Sequence, residues 1–570
     1  MTEDAMLNDP LHQHVTDVVS RATDYLYDTQ REDGAWTDRL SSSPMTTALS
    51  VLALSTVDKD RYREQVGRGL DWLRRNQRGD GGWSMADTFP PSSPGTSAFA
   101  VAALKGLDPH GASDIVDKAL RYIEFDGGLD SVPGMAGIAP RSWPAAAPIA
   151  WVLAGLRDPQ EQPYQPIEVM LLPQALRNKV SIGLPGVLAL GIMQRRTMQA
   201  GPLRRLAQWL AEPRALAWLR GVLGPNGGVE ECPMLSAMIV IGLHSAGVGQ
   251  DIRDASLSYL LSTQRTDGSW AVDRDLEISV SAYAVLALAE SIDVAKEPRL
   301  RPTTDWLVST QWQEPFRPLR IPAGGFSWNV PSGWPESEDT AVVLSVLGEL
   351  GLTTAHPAVA AGLKWLRVRQ NRDGSWSEWV RNSNILNDRP CPGVTAHVMM
   401  ALYQHGQRPG RRNPLGRALL YMARNQEADG ASPSIWFRDS THGTAKLLEA
   451  FAYLGLAGAR PAVRARDWLL ATQRPDGSWP TAVVVSAEGP TAEETAWALY
   501  SLLCAGVPAD SDPVLRAVRW LADRQGDDGT WQPSPVGLYF DDLCYGDDLI
   551  AHTYSLRALA RWRKLVERGS

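Results

Sequence analysis

The sequence predicts an all-α protein of helical hairpins closed into an α/α barrel. Three observations carry this. A Gln-x-x-Asp-Gly-x-Trp phrase recurs along the chain. Amphipathic helical stretches alternate with stretches that are apolar nearly all round. Tryptophan is heavily used, 22 residues against 8 phenylalanines, which points to a recurrent motif or a π-lined cavity.

The phrase reads Gln30 to Trp36, Gln264 to Trp270, Gln370 to Trp376, Gln473 to Trp479 and Gln525 to Trp531. Gln77 to Trp83 is a close variant, and Gln426 to Gly430 lacks the Trp. In the C-terminal half the copies fall about 50 residues apart, the length of one helical hairpin. Ahead of each copy lies an amphipathic helix, such as Ala517 to Gln525. Asp-Gly stops that helix, since Gly accepts φ > 0. A more apolar helix follows, such as Thr491 to Leu503 or Thr340 to Gly348. Apolar helices belong inside and amphipathic ones outside, which gives two concentric layers. The phrase itself reads as a fastener of helix ends.

Composition narrows the class. The 570 residues carry a net charge of −8, so no nucleic-acid partner is expected. Cys232, Cys391, Cys504 and Cys544 are scattered without a Cys-x-x-Cys pair, which argues against a disulfide framework or a cysteine zinc site. The polar, acidic start is unlike a signal peptide, and no run of about 18 apolar residues offers a membrane span. A cytoplasmic protein is expected, with peripheral membrane contact left open, as monomer or homodimer.

At this point the chain resembles the squalene–hopene and oxidosqualene cyclase family, the class II terpene cyclases. The repeat phrase is that family's signature. Gly324 to Asn329, then Trp334 to Leu344, is similar to the segment leading into the family's Asp-x-Asp-Asp-Thr-Ala acid motif. Val394-Thr-Ala-His-Val398 is similar to the segment that supplies the histidine partner of the acid. The resemblance implies two α/α barrels. The catalytic one would comprise 1–40 plus 256–570, and the second, 41–255, would be inserted between those pieces. Residues 125–225 are hard to place, and Gly127 to Pro148 reads as long loops.

Such an enzyme protonates a terminal alkene or epoxide and lets the resulting cation close rings. An alkene is a very weak base, so the acid must be neutral, although an isolated carboxyl titrates near about 4. Crowded carboxyls push at least one pKa upward. By position, Glu338 matches the family's proton donor, Asp339 and Glu336 its supporting acids, and His397 the residue that hydrogen-bonds the donor, where a cationic ring would raise acidity. The departure is that two of the family's three aspartates are glutamates here. Without the resemblance, Glu-Ser-Glu-Asp-Thr reads as a helix N-cap. For cation–π stabilisation, Trp328, Trp334 and Trp379 stand where family members use aromatics, with Tyr539, Phe540 and Tyr545 as further candidates.

The resemblance also bears on substrate. Hopene-forming members keep acids where this chain has Thr96-Ser-Ala-Phe99, and a tryptophan and an aspartate that Asp273 to Ser281 lacks. The expectation is a linear polyprenyl of C15–C30, with a prenyl diphosphate favoured over squalene. A diphosphate needs cations at the pocket mouth, and Arg204-Arg205, Lys179 and Arg438 are candidates. No cofactor is required, with Mg2+ only alongside a diphosphate. Asp541-Asp542 and Asp547-Asp548 read as loop carboxylates. Three alternatives stay open: a squalene–hopene-type triterpene cyclase, a helical-barrel binding protein without catalysis, and zinc-dependent prenyl transfer through Asp388, Cys391 and His397.

Overall fold

The computed structural model describes residues 10–87, 91–128, 132, 146–181, 183–385, 388–479, 489–540 and 543–569. Most of the Gly127 to Pro148 stretch, together with Asp541 and Asp542, lies outside them.

Six helices follow the repeat phrases and are buried along most of their length: Glu277–Leu288, Ser337–Glu349, Pro392–Gln404, Thr441–Tyr453, Ala492–Cys504 and Asp548–Gly569. Each packs on the next and the last packs on the first, so they close a ring. Outside it, Pro357–Arg369, Pro414–Asn425, Arg460–Thr472 and Asp512–Ala522 each cover one inner helix. The Pro10–Thr29 helix covers Asp548–Gly569, which ties the two ends of the chain together. This is the expected two-layered α/α arrangement.

A second set of buried helices packs in series: Leu184–Thr197, Pro233–Ala246, Pro44–Asp58, Pro94–Leu107 and Ala146–Leu153. Outer helices such as Arg63–Arg75 and Gln250–Ser262 flank it. We propose that the chain divides between these two sets. The second junction then falls after Ser262 rather than at 256, because residue 256 lies within the unbroken Gln250–Ser262 helix.

The repeat phrase closes each outer helix by a fixed set of bonds. The indole N–H of Trp376 donates to Leu366 O at 2.8 Å, and Trp270, Trp479 and Trp531 make the same bond to the carbonyl ten residues back, each at 2.8 Å. These are carbonyls that a helix C-terminus leaves unpaired. Gln370 Nε2 donates to Gly374 O at 2.8 Å and to Pro414 O, at the next outer helix, at 2.9 Å. Gly374 sits at φ +100, and a Cβ there would lie 2.5 Å from Arg417 O, so only glycine fits.

One further copy is interrupted. Gln311 Nε2 donates to Gly324 O at 2.9 Å and to Ala358 O at 2.8 Å. Phe326 takes the tryptophan's place: its N–H donates to Thr340 Oγ1 at 2.8 Å, as Trp376 N–H donates to Thr395 Oγ1 at 3.2 Å. The inserted segment 312–323 lines a cleft described below. Phe326 also pairs with Glu336, which fixes the start of the acid-bearing helix.

Candidate active site

Glu336, Glu338 and Asp339 open the Ser337–Glu349 inner helix. Among the described residues Glu336 makes no side-chain cap bond there, so the acids do not serve as an N-cap box. Instead they converge on a buried space. Asp339 Oδ1 accepts the Ser279 hydroxyl at 2.8 Å, from the neighbouring inner helix. Glu338 Oε1 lies 2.7 Å from His397 Nδ1 of the Pro392–Gln404 helix. That distance allows a proton to be shared, although the two atoms are not aligned as a hydrogen bond.

A fourth carboxyl, which the sequence reading missed, completes the group. Glu378 is fully buried. It accepts the Glu338 backbone N–H at 3.0 Å and the Trp436 indole N–H at 2.8 Å. Four buried carboxyls this close together cannot all ionise. Burial pushes Glu338 up to about 8, and the neighbouring Asp339 adds to this. Burial also raises Asp339, and it drives Glu336 and Glu378 well above the usual carboxylate range. Glu338 is therefore mostly neutral at pH 7.

His397 departs from expectation in one respect. Burial and the nearby Lys446 ammonium push it down to about 3, so the ring is a neutral imidazole rather than a cation. The positive charge behind the acid belongs to Lys446 instead. Lys446 is buried and paired with Glu449 at 2.8 Å, and Glu449 in turn meets Arg557 at 3.2 Å.

Glu336, Glu338 and Asp339 line a cavity. Trp328, Trp379, Tyr539 and Tyr545 line it, joined by Trp436, Phe437 and Tyr283. The rings form a continuous wall: Trp328 to Trp379 6.0 Å, Trp379 to Trp436 5.5 Å and Trp436 to Tyr539 6.0 Å between centroids. Trp334 does not line this cavity. It stands behind the wall, 6.4 Å from Trp379, and faces a separate cleft. The Phe540 side chain lies outside the described residues.

That cleft runs beside the inserted segment and the second helix set. Trp218, Trp312, Phe316 and Trp334 line it together with Arg177, Arg214 and Arg317. Arg177 is pushed below its usual range by burial and by Arg320. None of the basic residues named from sequence reaches it. Arg204 stacks over the Tyr164 ring at 4.6 Å, Arg205 is exposed, Lys179 donates to Asn382 O at 2.9 Å, and Arg438 donates to Pro535 O at 3.0 Å.

The zinc alternative loses its ligand set. Asp388 accepts the backbone N–H groups of Trp379 and Val380 at 2.8 and 2.9 Å. Among the described residues no group of three or more His, Cys, Asp or Glu side chains is placed to hold a metal ion. Asp547 and Asp548 bind backbone N–H groups around the start of the last helix, as loop carboxylates do.

Comparison with known proteins follows the same lines. Residues 277–564 match the squalene-hopene cyclase C-terminal domain and residues 19–181 the squalene-hopene cyclase N-terminal domain. The squalene–hopene cyclase of Alicyclobacillus acidocaldarius is 27% identical over 636 residues, covering 96% of this chain and 98% of that protein. The drimenyl diphosphate synthase of Streptomyces showdoensis is 27% identical over 312 residues, 53% of this chain and 54% of that protein. The structure of ent-copalyl diphosphate synthase from Streptomyces platensis shares the fold, with a TM-score of 0.54 at 19% identity over 99% of this chain and 100% of that one.

Proposed function

The chain belongs to the squalene–hopene cyclase family and is a class II terpene cyclase; from that premise we propose that Glu338 protonates the terminal alkene of a linear prenyl diphosphate. The observation that carries this is the neutral carboxyl cluster opening onto an aromatic cavity. The alkene π electrons take the Glu338 proton, leaving a tertiary carbocation and a carboxylate. Internal double bonds then attack in turn and close rings. The faces of Trp328, Trp379 and Trp436 stabilise the moving charge, each by about 0.5–2 kcal/mol. A dry cavity delays quenching by water.

Asp339 and Glu336 keep the donor protonated between turnovers by disfavouring a second negative charge. Neutral His397 acts as a positioning residue. Its Nδ1 lies 2.7 Å from Glu338 Oε1, and a small rotation of either side chain would align an Nδ1–H on that oxygen and leave the acid proton on Oε2. The glutamate adds a methylene of about 1.5 Å to the family's aspartate, and the contact with His397 takes up that reach.

The relatives include a squalene–hopene cyclase and a drimenyl diphosphate synthase, so membership leaves chain length and headgroup open. Arg177, Arg214 and Arg317 line the cleft on the far side of Trp334, and a substrate whose tail enters the cavity past Trp334 would leave its diphosphate on them, since guanidinium groups match phosphate oxygens bidentately. The described side chains offer no cage for Mg2+, so no step is assigned to a metal. The match along nearly the whole of a squalene–hopene cyclase favours squalene as the second reading.

Peripheral membrane contact is also part of the proposal. Leu203, Leu206, Trp209 and Leu210 are 84%, 55%, 61% and 46% exposed on the Pro202–Val222 helix. Their spacing puts them on one face. Leu172 and Leu176 are exposed beside the cleft. No helix among the described residues is long and apolar enough to cross a membrane.

The test is incubation with farnesyl diphosphate, geranylgeranyl diphosphate, squalene and an epoxidised polyprenyl, with products identified by mass. Cyclised prenyl diphosphate is expected. Cyclisation of squalene alone moves the assignment to the second reading, and no cyclised product from any substrate refutes both.

A further inference from the structure

The aromatic cavity holds one carboxyl outside the acid cluster. Asp273 lines it from the turn before the Glu277–Leu288 helix and is fully buried. Its Oδ2 accepts the Tyr539 hydroxyl at 2.7 Å. Its Oδ1 makes no well-aligned hydrogen bond among the described residues, although the Trp328 indole lies close enough to act on the carboxyl.

The neighbouring cation does not offset its ionised form. Arg274, next in the chain, is occupied by Asp275 at 2.6 Å and by Glu231 and Glu277 at 3.4 Å. The charges that act on Asp273 are acidic, from Glu231 and Asp275, and it in turn raises the buried carboxyl of Glu230. Glu230 and Glu231 also hold left-handed backbone, φ 57 and 51. A buried, unpaired carboxyl and non-glycine residues at positive φ both cost stability. An amide or an apolar residue would fill the same space at lower cost. Groups kept against such a penalty inside a reaction cavity are candidates for chemistry.

Position supports the same view. Trp436 binds Glu378 of the acid cluster through its indole N–H, and its ring lies 6.0 Å from Tyr539, which binds Asp273. The wall of rings thus leads from the proton donor to Asp273.

We propose that Asp273 is the base that ends the cation's passage, with Tyr539 as its positioning residue. This rests on the acid-initiated reading above. Oδ1 takes a proton from a carbon next to the final cationic centre. The C–H electron pair becomes a C=C π bond and the cation is neutralised. Glu338 has then lost one proton and Asp273 has gained one, so the product is an isomer of the substrate. Both carboxyls return to their starting states by exchange with water once product leaves. Burial pushes Asp273 up to about 8, so about one tenth of it is ionised at pH 7, and it is this ionised form, favoured further by a cation in the cavity, that takes the proton.

The test compares the wild type with Asp273→Asn in two measurements. With geranylgeranyl and farnesyl diphosphates, the share of the main alkene isomer should fall about fivefold or more, replaced by other double-bond isomers and water-quenched alcohols. With dodecyldimethylamine, a protonated amine that mimics the cation, affinity measured by calorimetry should fall roughly tenfold. An unchanged isomer ratio, or equal affinity for the ammonium, overturns the proposal. If the wild type cyclises neither diphosphate, the substrate reading fails while the ammonium titration still decides the role of Asp273.

Discussion

Raising the pH tests the buried acid most sharply. An ordinary glutamate titrates at about 4.5, so about 0.3% of it would be protonated at pH 7. Burial and Asp339 hold Glu338 up to about 8. About nine tenths of it is then neutral at pH 7 and about one tenth at pH 9. The carboxyl is fully buried, so solvent screening does not dilute the effect. The rate of substrate consumption at saturating prenyl diphosphate should be flat from pH 6 to 7 and fall about eight- to tenfold by pH 9. Product would be measured by mass spectrometry at fixed ionic strength, over a range where the fold is shown intact by circular dichroism. A rate that falls tenfold per unit from about pH 5 would mean an unperturbed donor and would refute the role of burial.

Other outcomes follow from the same geometry. Glu338→Gln should stabilise the fold at pH 7 by up to about 3 kcal/mol, because the raised carboxyl burdens the folded state increasingly from about pH 4.5 to about 8. Denaturant unfolding at pH 4 and pH 7 should show the gain only at the higher pH. Arg177→Ala with Arg214→Ala should raise KM for a prenyl diphosphate about tenfold or more and leave squalene binding unchanged, as steady-state kinetics and titration would read. Trp376→Phe loses the indole bond to Leu366 O and should cost about 1–3 kcal/mol in denaturant unfolding, while kcat in the surviving folded enzyme stays near wild type.

The fold was legible because its signal is local. Gln, Gly and Trp within one phrase make bonds fixed by chain geometry, and the phrase repeats. The interrupted copy at Gln311 and Gly324 escaped notice because an insertion separates its parts and Phe326 stands for the Trp. Glu336, Glu338, Asp339 and His397 were singled out through the family resemblance, and the fold brings them together at and near the starts of neighbouring inner helices. Glu378 and Asp273 were not, since their meaning depends on which loops the closed ring brings together. A signal for them existed: each lies two or three residues beyond a phrase tryptophan, after Trp376 and Trp270, as Asp38 does after Trp36. The arginines of the cleft come from separate segments around 177, 214 and 317, and only tertiary packing joins them.

The central claim is that Glu338 delivers the initiating proton. Turnover in D2O tests it most directly, comparing wild type with Glu338→Gln on the prenyl diphosphate that the wild type cyclises. The wild type should place one deuterium on the carbon protonated at the start, and the folded Gln variant should cyclise at least about a thousandfold more slowly while still binding substrate. A folded Glu338→Gln enzyme that turns over at the wild-type rate with the same deuterium content would contradict the account.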